Sequence, residues 1–400
     1  MIRVHKAALA LVAVAAVATA VVAASSASSQ QAGTVTIGWA FDGSGAMAPF
    51  DGPALATARD RVRQVNRGPG VNLRILTCNT QGNKPAVAKS CAARLLGQGA
   101  DVIFTTCDVD FAAPVVQESI NAGKLTIAPC IGTDQMGPKR FGAKGRLAFS
   151  YGNVAQDEGS AMAEYAWRRG WRDAALATDT VIVYFRNVVQ AFEARWRQLG
   201  GRIVAEETYQ SLGGNPASWQ NVVTRLNGEE ADVIVTSTAG AFGAQAPIVS
   251  GLRTLGNDTP ILNSWAGDGN YWYTRNPQVS NYYYVTFASA FGDDPVRAVN
   301  ALVNRNKGAI AKGGSTGGFI TGPAAIDGLL TAIRRAGGST DGARLAARME
   351  RFRNVPTLSG RVSFSRNLHT VFGRQYRVIR VQNNVPRVVG TVKAKVVPKI

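Results

Sequence analysis

From residue 34 onward the chain repeats one unit: a short apolar run, a turn rich in glycine and polar residues, then a segment with apolar residues at helical spacing. Predicted strands at 35–40, 73–77, 102–106 and 125–128 alternate with predicted helices at 53–66, 85–98 and 113–122, the first of which carries Leu55, Ala58, Val62 and Val65 on one face. Strands separated by helices imply a parallel sheet covered on both faces. The series then starts afresh, with predicted helices at 157–169, 187–199, 218–226 and 246–255 and strands at 173–178, 202–208, 232–236 and 260–263. Two such series give an α/β protein of two doubly wound, Rossmann-like lobes. Helical patterns return at 295–311 and 323–336, and strands follow at 361–364 and 374–381, so the chain crosses back to complete the first lobe. Repeated crossing implies a multi-strand hinge, placed near 149–152, 285–287 and 355–360. Lobe 1 is then 33–150 with 286–355, and lobe 2 is 151–285 with 356–390. Residues 391–400, with Lys393, Lys395 and Lys399, read as a frayed basic tail.

The 400 residues are 46% hydrophobic and 18% charged, which supports a buried core and excludes disorder, collagen and coiled coil. The formal charge of +18 is spread along the chain with no basic cluster, so nucleic acid is not an expected partner. Residues 1–30 have a basic start at Arg3, His5 and Lys6, a small apolar run over 7–24 and a small-residue zone after it, the pattern of a signal peptide. An uncleaved anchor is the competing reading, because the run approaches the ~20 residues of a spanning helix. In an oxidising compartment Cys78, Cys91, Cys107 and Cys130 imply two disulfides, with three connectivities open. No Cys-x2-Cys pair occurs and His369 is the one histidine beyond the leader, so no metal site is expected.

Ligands of open α/β sheets lie beyond the carboxyl ends of the strands. In the first series these ends carry 41–45 and 50–53, 107–111 and 129–134, which offer glycines, hydroxyls and backbone N–H groups. The second-series loops offer rings instead: Tyr184, Phe242, Trp265, Tyr271, Trp272 and Tyr273. Such a division suits a small polar molecule hydrogen-bonded to one wall and packed by the other. Each feature has a plainer role, since Asp42 and Gly43 make a turn, Asp108 caps a helix, and Tyr271, Trp272 and Tyr273 pack on their own lobe. Catalysis lacks its parts. The Gly-x-Ser-x-Gly string at 313–317 follows a helix where a nucleophile elbow needs a strand, and neither a dinucleotide nor a phosphate-loop fingerprint occurs, so no cofactor is expected.

Several local strings, in this order, resemble the type I periplasmic binding proteins, specifically the Leu/Ile/Val-binding class of ABC transporter substrate-binding proteins. They are Val35-Thr36-Ile37-Gly38, Gly99-Ala100-Asp101-Val102-Ile103, Cys107-Asp108, Ile127-Ala128-Pro129, Ala231-Asp232-Val233-Ile234 and Leu358-Ser359-Gly360-Arg361-Val362-Ser363-Phe364. The resemblance spans roughly 34–383. It implies a non-catalytic clamshell that closes on a small molecule and delivers it to a membrane permease, its only link to the membrane. Carried over by position, the ligand-binding residues are Phe50, Asp108, Gly132, Thr133 and Tyr184, with Phe242, Trp265 and Asp268 placed through gaps. Within this scheme the disulfides staple the first lobe, as Cys78 with Cys91 and Cys107 with Cys130. One departure bears on the ligand: Asp108 stands where the family usually has a neutral hydroxyl. An anion there repels a carboxylate and favours a cationic, amide or hydroxylated molecule beside an amino acid. A receptor ectodomain of the same fold, signalling through a membrane partner, is the alternative, and an extracellular enzyme using Asp108 or Asp110 is a third.

Overall fold

The computed structural model describes residues Gly33–Ile400, and the leader segment lies outside them. Along the chain run β1 (Thr34–Phe41), α1 (Ala48–Val65), β2 (Asn72–Asn79), α2 (Pro85–Gly97), β3 (Val102–Phe104), α3 (Val109–Asn121), β4 (Thr126–Ala128), α4 (Pro138–Phe141) and β5 (Ala148–Asn153). The second series is α5 (Ala155–Arg168), β6 (Asp173–Asp179), α6 (Val183–Leu199), β7 (Arg202–Tyr209), α7 (Pro216–Asn227), β8 (Val233–Ser237), α8 (Gln245–Thr254), β9 (Ile261–Asn263) and β10 (Tyr282–Thr286). Then come α9 (Arg297–Arg305), α10 (Lys307–Lys312), α11 (Gly318–Arg335), α12 (Gly342–Met349), the hairpin β11 (Val355–Thr357) and β12 (Gly360–Val362), β13 (Thr370–Val371), β14 (Tyr376–Gln382) and β15 (Val385–Val392).

Two sheets result, each with the alternation the sequence predicts. The first has the order β13-β5-β4-β3-β1-β2 and is parallel throughout. The second has the order β15-β14-β10-β9-β8-β6-β7, parallel except where β14 joins β10 and β15. Central strands read as continuous apolar runs because both faces are covered: Val102, Ile103 and Phe104 of β3 are fully buried, as is Val233 of β8. In each sheet the strand order reverses once, between β1 and β3 and between β6 and β8, and the loops leaving those strands open the crevice where such sheets bind ligands.

Three connections join the lobes: β5 to α5, β10 to α9, and β13 to β14. The third differs from the expectation of a crossing at 355–360 and of 356–390 lying wholly in the second lobe. Residues 355–362 instead fold into a small hairpin, and Thr370–Val371 pairs with β5 in the first sheet, so the chain crosses at 372–375. The tail is also not frayed: β15 extends to Val392, and the Ser160 hydroxyl of α5 donates to the Val396 carbonyl. The first helix begins at Ala48, ahead of the predicted start at Pro53. Pro53 leaves the Pro49 carbonyl without its helical donor, and the Thr316 hydroxyl supplies one at 2.6 Å. That extra turn carries Phe50 and Asp51 to the crevice.

Candidate functional site

At the first reversal point the buried carboxyl group of Asp51 ties two loops together. One oxygen accepts from the Asp42 N–H at 2.7 Å and the other from the Cys107 N–H at 2.9 Å. Asp42 in turn accepts from the N–H groups of Ser44, Gly45, Met47 and Gly82, which fixes the turn after β1. The Asp42–Gly43 segment is therefore a turn, as its plainer reading held. Burial pushes the Asp51 carboxyl up to about 8. The disulfide Cys107–Cys130 links the ends of β3 and β4, and Cys78–Cys91 links β2 to α2, the pairing favoured above.

Asp108 follows directly and caps α3, accepting from the Asp110 N–H at 2.9 Å. It is 3% exposed and lines the crevice as well, so the structural and the ligand-facing readings coexist. Burial, reinforced by the neighbouring Asp110 charge, pushes its carboxyl up to about 7.

The facing wall comes from the second lobe. Phe50 meets Trp265 with ring centroids 5.1 Å apart, and Phe111 meets Phe242 at 6.1 Å, both across the crevice. Gly132 lies so close to Tyr184 that a Cβ there would stand 2.6 Å from the ring. The Asp110 carboxylate accepts from the Val183 N–H at 3.0 Å, a direct hydrogen bond between lobes. With the walls in contact, about 20 Å³ remains between them, room for about one water. Among the predicted residues, Phe50, Asp108, Gly132, Tyr184, Phe242 and Trp265 line this one cavity.

Thr133 and Asp268 do not line it. The Thr133 carbonyl accepts from Thr370, which fastens the short strand β13. Asp268 accepts from Thr286 at 2.9 Å and from the Gly317 N–H of the first lobe at 2.5 Å, so it latches the lobes beside the cavity. Its second oxygen has no partner among the described residues, and burial pushes its carboxyl up to about 8. Trp272 and Tyr273 pack within the second lobe, with Trp272 against Tyr282 at 4.9 Å.

Glu158 was not singled out in the sequence. It lies in the first turn of α5, where an acidic residue reads as a helix-dipole partner. Here it is fully buried and accepts from Tyr184 at 2.9 Å and from the Trp265 N–H at 2.5 Å, holding two rings of the wall; burial pushes it up to about 8. His369, the one histidine beyond the leader, stacks on Phe149 at 4.1 Å and contacts the Ala148 carbonyl at 2.9 Å, in the core of the first lobe. Among the described residues no cluster of His, Cys, Asp and Glu is arranged to hold a metal, and no helix is long and apolar enough to cross a membrane.

Two hinged α/β lobes with facing reversal points and a crevice between them define a clamshell binding fold. The family model described as "Periplasmic binding protein" matches residues 34–386, and the chain belongs to that family. No curated protein matches it in sequence. Similar solved structures include the branched-chain amino acid transporter substrate-binding protein LivJ from Streptococcus pneumoniae, in complex with isoleucine, at TM-score 0.74 and 18% identity, covering 90% of this chain and 100% of that one. The leucine-binding protein LivK from Thermotoga maritima gives 0.75 and 18%, covering 90% and 98%. An ABC transporter solute-binding protein from Rhodopseudomonas palustris HaA2, in complex with p-hydroxybenzoic acid, gives 0.74 and 15%, covering 90% and 98%.

Proposed function

We propose that this chain is an exported, non-catalytic solute-binding protein that closes over a small polar organic molecule and delivers it to the permease of an ABC importer. The ligand carries a cationic or hydrogen-bond-donating head on an apolar body. One observation supports this choice: Asp108 lines a cavity walled by Phe50, Tyr184, Phe242 and Trp265, and no lysine or arginine lines it. With its carboxyl pushed up to about 7, Asp108 would have to be protonated to face a ligand carboxylate and no cation would compensate, whereas an ammonium would draw it to its anion and an amide N–H would donate to it. Solved relatives hold isoleucine in one case and p-hydroxybenzoic acid in another, so the fold accepts more than one head group. Closure follows from differential affinity, because a molecule touching both walls binds the closed form more tightly than the open one.

The test is a thermal-melt and calorimetry panel of amines, amino-acid amides, polyols and simple carboxylates, with native mass spectrometry of the purified protein. At a hundredfold excess over Kd an amine or amide should stabilise the fold by about 2.7 kcal/mol. Asp108→Asn keeps a competent helix cap and should weaken an amine at least tenfold. Binding confined to carboxylates that lack a cationic group would refute the ligand class. A panel and a spectrum both empty would refute the binding function.

A further inference from the structure

A cavity far larger than the space left in the crevice lies elsewhere on the molecule. It lies on the hinge side, has a volume of about 690 Å³, and is bordered by the third crossing, the β11–β12 hairpin and the start of α9. That volume falls within the ~300–1,000 Å³ of small-molecule sites. Four basic side chains line it: Arg361, Arg374, Arg377 and Lys393. Only Arg377 is neutralised there, by a two-pronged pair with Asp294 at 2.9 and 3.0 Å. No carboxylate forms an ion pair with Arg361, Arg374 or Lys393 among the described residues.

Arg374 is the built part of the site. It is 6% exposed, its guanidinium donates to the carbonyls of Ser359 and Tyr151, and its Nε has no partner among the described residues. The guanidinium also lies 4.6 Å from the Phe287 ring. Tyr151, Phe287 and Arg374 belong respectively to the first, second and third crossings, so this cation holds the hinge together. Asp157 accepts from the backbone N–H groups of Gly373 and Arg374, which leaves the guanidinium itself free of a carboxylate partner. Beside the cations the cavity presents two exposed apolar side chains, Phe372 at 49% and Val296 at 42%. A concave surface that is cationic on one flank and apolar on the other matches an organic anion with a hydrophobic body.

We propose that this hinge-side cavity is a second small-molecule site, separate from the crevice, for an organic anion bearing an apolar group. The anionic head sits among Arg361, Arg374 and Lys393, and the apolar group lies on Phe372 and Val296. Its occupant, unlike that of the crevice, is selected by positive charge.

The probe is phenyl phosphate, titrated calorimetrically into the full chain at low ionic strength, with inorganic phosphate, benzyl alcohol and benzylamine alongside. Saturable binding of phenyl phosphate is expected, at least tenfold tighter than inorganic phosphate, with none for the alcohol or the amine at this site. Arg361→Gln with Lys393→Gln, both exposed, should cut affinity at least tenfold without lowering Tm, and Phe372→Ala should cut it several-fold. Phe242→Ala, in the crevice, should leave phenyl phosphate binding unchanged. Arg374→Gln risks the fold, so the exposed pair carries the test. The proposal is overturned if phenyl phosphate does not bind, if inorganic phosphate binds as tightly, if binding survives the Arg361/Lys393 pair, or if it is lost in Phe242→Ala.

Discussion

On the first lobe the loops leaving β1 and β3 are joined by Asp51, and the end of β3 is bonded covalently to the end of β4 through Cys107 and Cys130. On the second lobe the equivalent loops after β6 and β8 are joined by Asp179, which accepts from the N–H groups of Val181 and Ser211 at 3.2 Å and from the Thr238 hydroxyl at 2.8 Å. No disulfide reinforces it, since both bridges lie in the first lobe. Both lobes thus place at the reversal point a buried acidic residue that ties loops together, Asp51 in one and Asp179 in the other, and burial raises the pKa of each. They differ in what stands around it. The first wall sets Asp108, Gly132 and the disulfide beside the rings of Phe50 and Phe111, while the second is apolar, and its Tyr184 and Trp265 are tied by hydrogen bonds that Glu158 accepts. The cross-linked wall carries the acidic group that fixes a head group, while rings held by hydrogen bonds can shift to fit the rest of a ligand.

The largest expected effect comes from pH. The folded-state pKa of Asp51, about 8, lies above the unfolded value, so the native form holds a proton that the unfolded chain releases. The resulting stability is complete below pH ~4 and is lost as pH rises through about 8, at a limiting ~1.4 kcal/mol per pH unit for each such group. Tm should therefore fall between pH 5 and pH 8, and Asp51→Asn should flatten that slope even though it lowers Tm itself. A Tm that rises over this range would show that Asp51 stays ionised in the fold.

Next in size is the cross-link. Replacing Cys107 and Cys130 by serine removes a bridge spanning 23 residues, worth about 3 kcal/mol by loop entropy, and should lower the urea midpoint accordingly. The matching change in the second lobe, Asp179→Ala, strands the Val181 and Ser211 N–H groups and should cost about 1–3 kcal/mol. If Asp179→Ala cost more than loss of the bridge, the second wall would be the more rigidly held of the two.

The alternation of strand and helix was legible because each strand is an apolar run closed by a turn, and each helix shows its own period. What escaped was pairing over distance. Thr370–Val371 is two residues long, and nothing in its composition says that it adds to the first sheet rather than the second. The rings and Asp108 were found because they follow strands in the sequence. Asp51 lies in the 50–53 loop that the sequence offers, but with the helix started at Pro53 nothing marks it as the tie between two loops, and Glu158 sits in the first turn of a helix and looks like a surface acid paired with the helix dipole. Asp268 is placed on the ligand wall by the family resemblance alone, through gaps in the later loops. Its carboxylate turns instead to Gly317 and Thr286, since the first lobe brings the unpaired N–H at the start of α11 within reach.

The smallest effect should come from Gly132, where the two walls touch. Its φ is not in the left-handed region, so alanine is allowed by the backbone, and the main obstacle is the partner wall, with the Asn153 carbonyl of its own lobe 3.2 Å from the added Cβ. A Cβ at 2.6 Å from the Tyr184 ring forces either the ring or the whole second lobe away. Tyr184 cannot swing freely, because its hydroxyl is bound to the buried Glu158 at 2.9 Å. Most of the overpacking penalty of about 1–3 kcal/mol falls on the closed form, since the contact with Asn153 within the first lobe is the milder of the two. Gly132→Ala should thus leave Tm nearly unchanged but weaken the crevice ligand roughly tenfold or more, with a larger radius of gyration by solution scattering when ligand is added. Pairing it with Glu158→Gln, which changes the acceptor of the Tyr184 hydroxyl and so frees the ring to move, should return part of that affinity. Full affinity in Gly132→Ala alone would mean that the rings yield without help and that the second wall is softer than its hydrogen bonds imply.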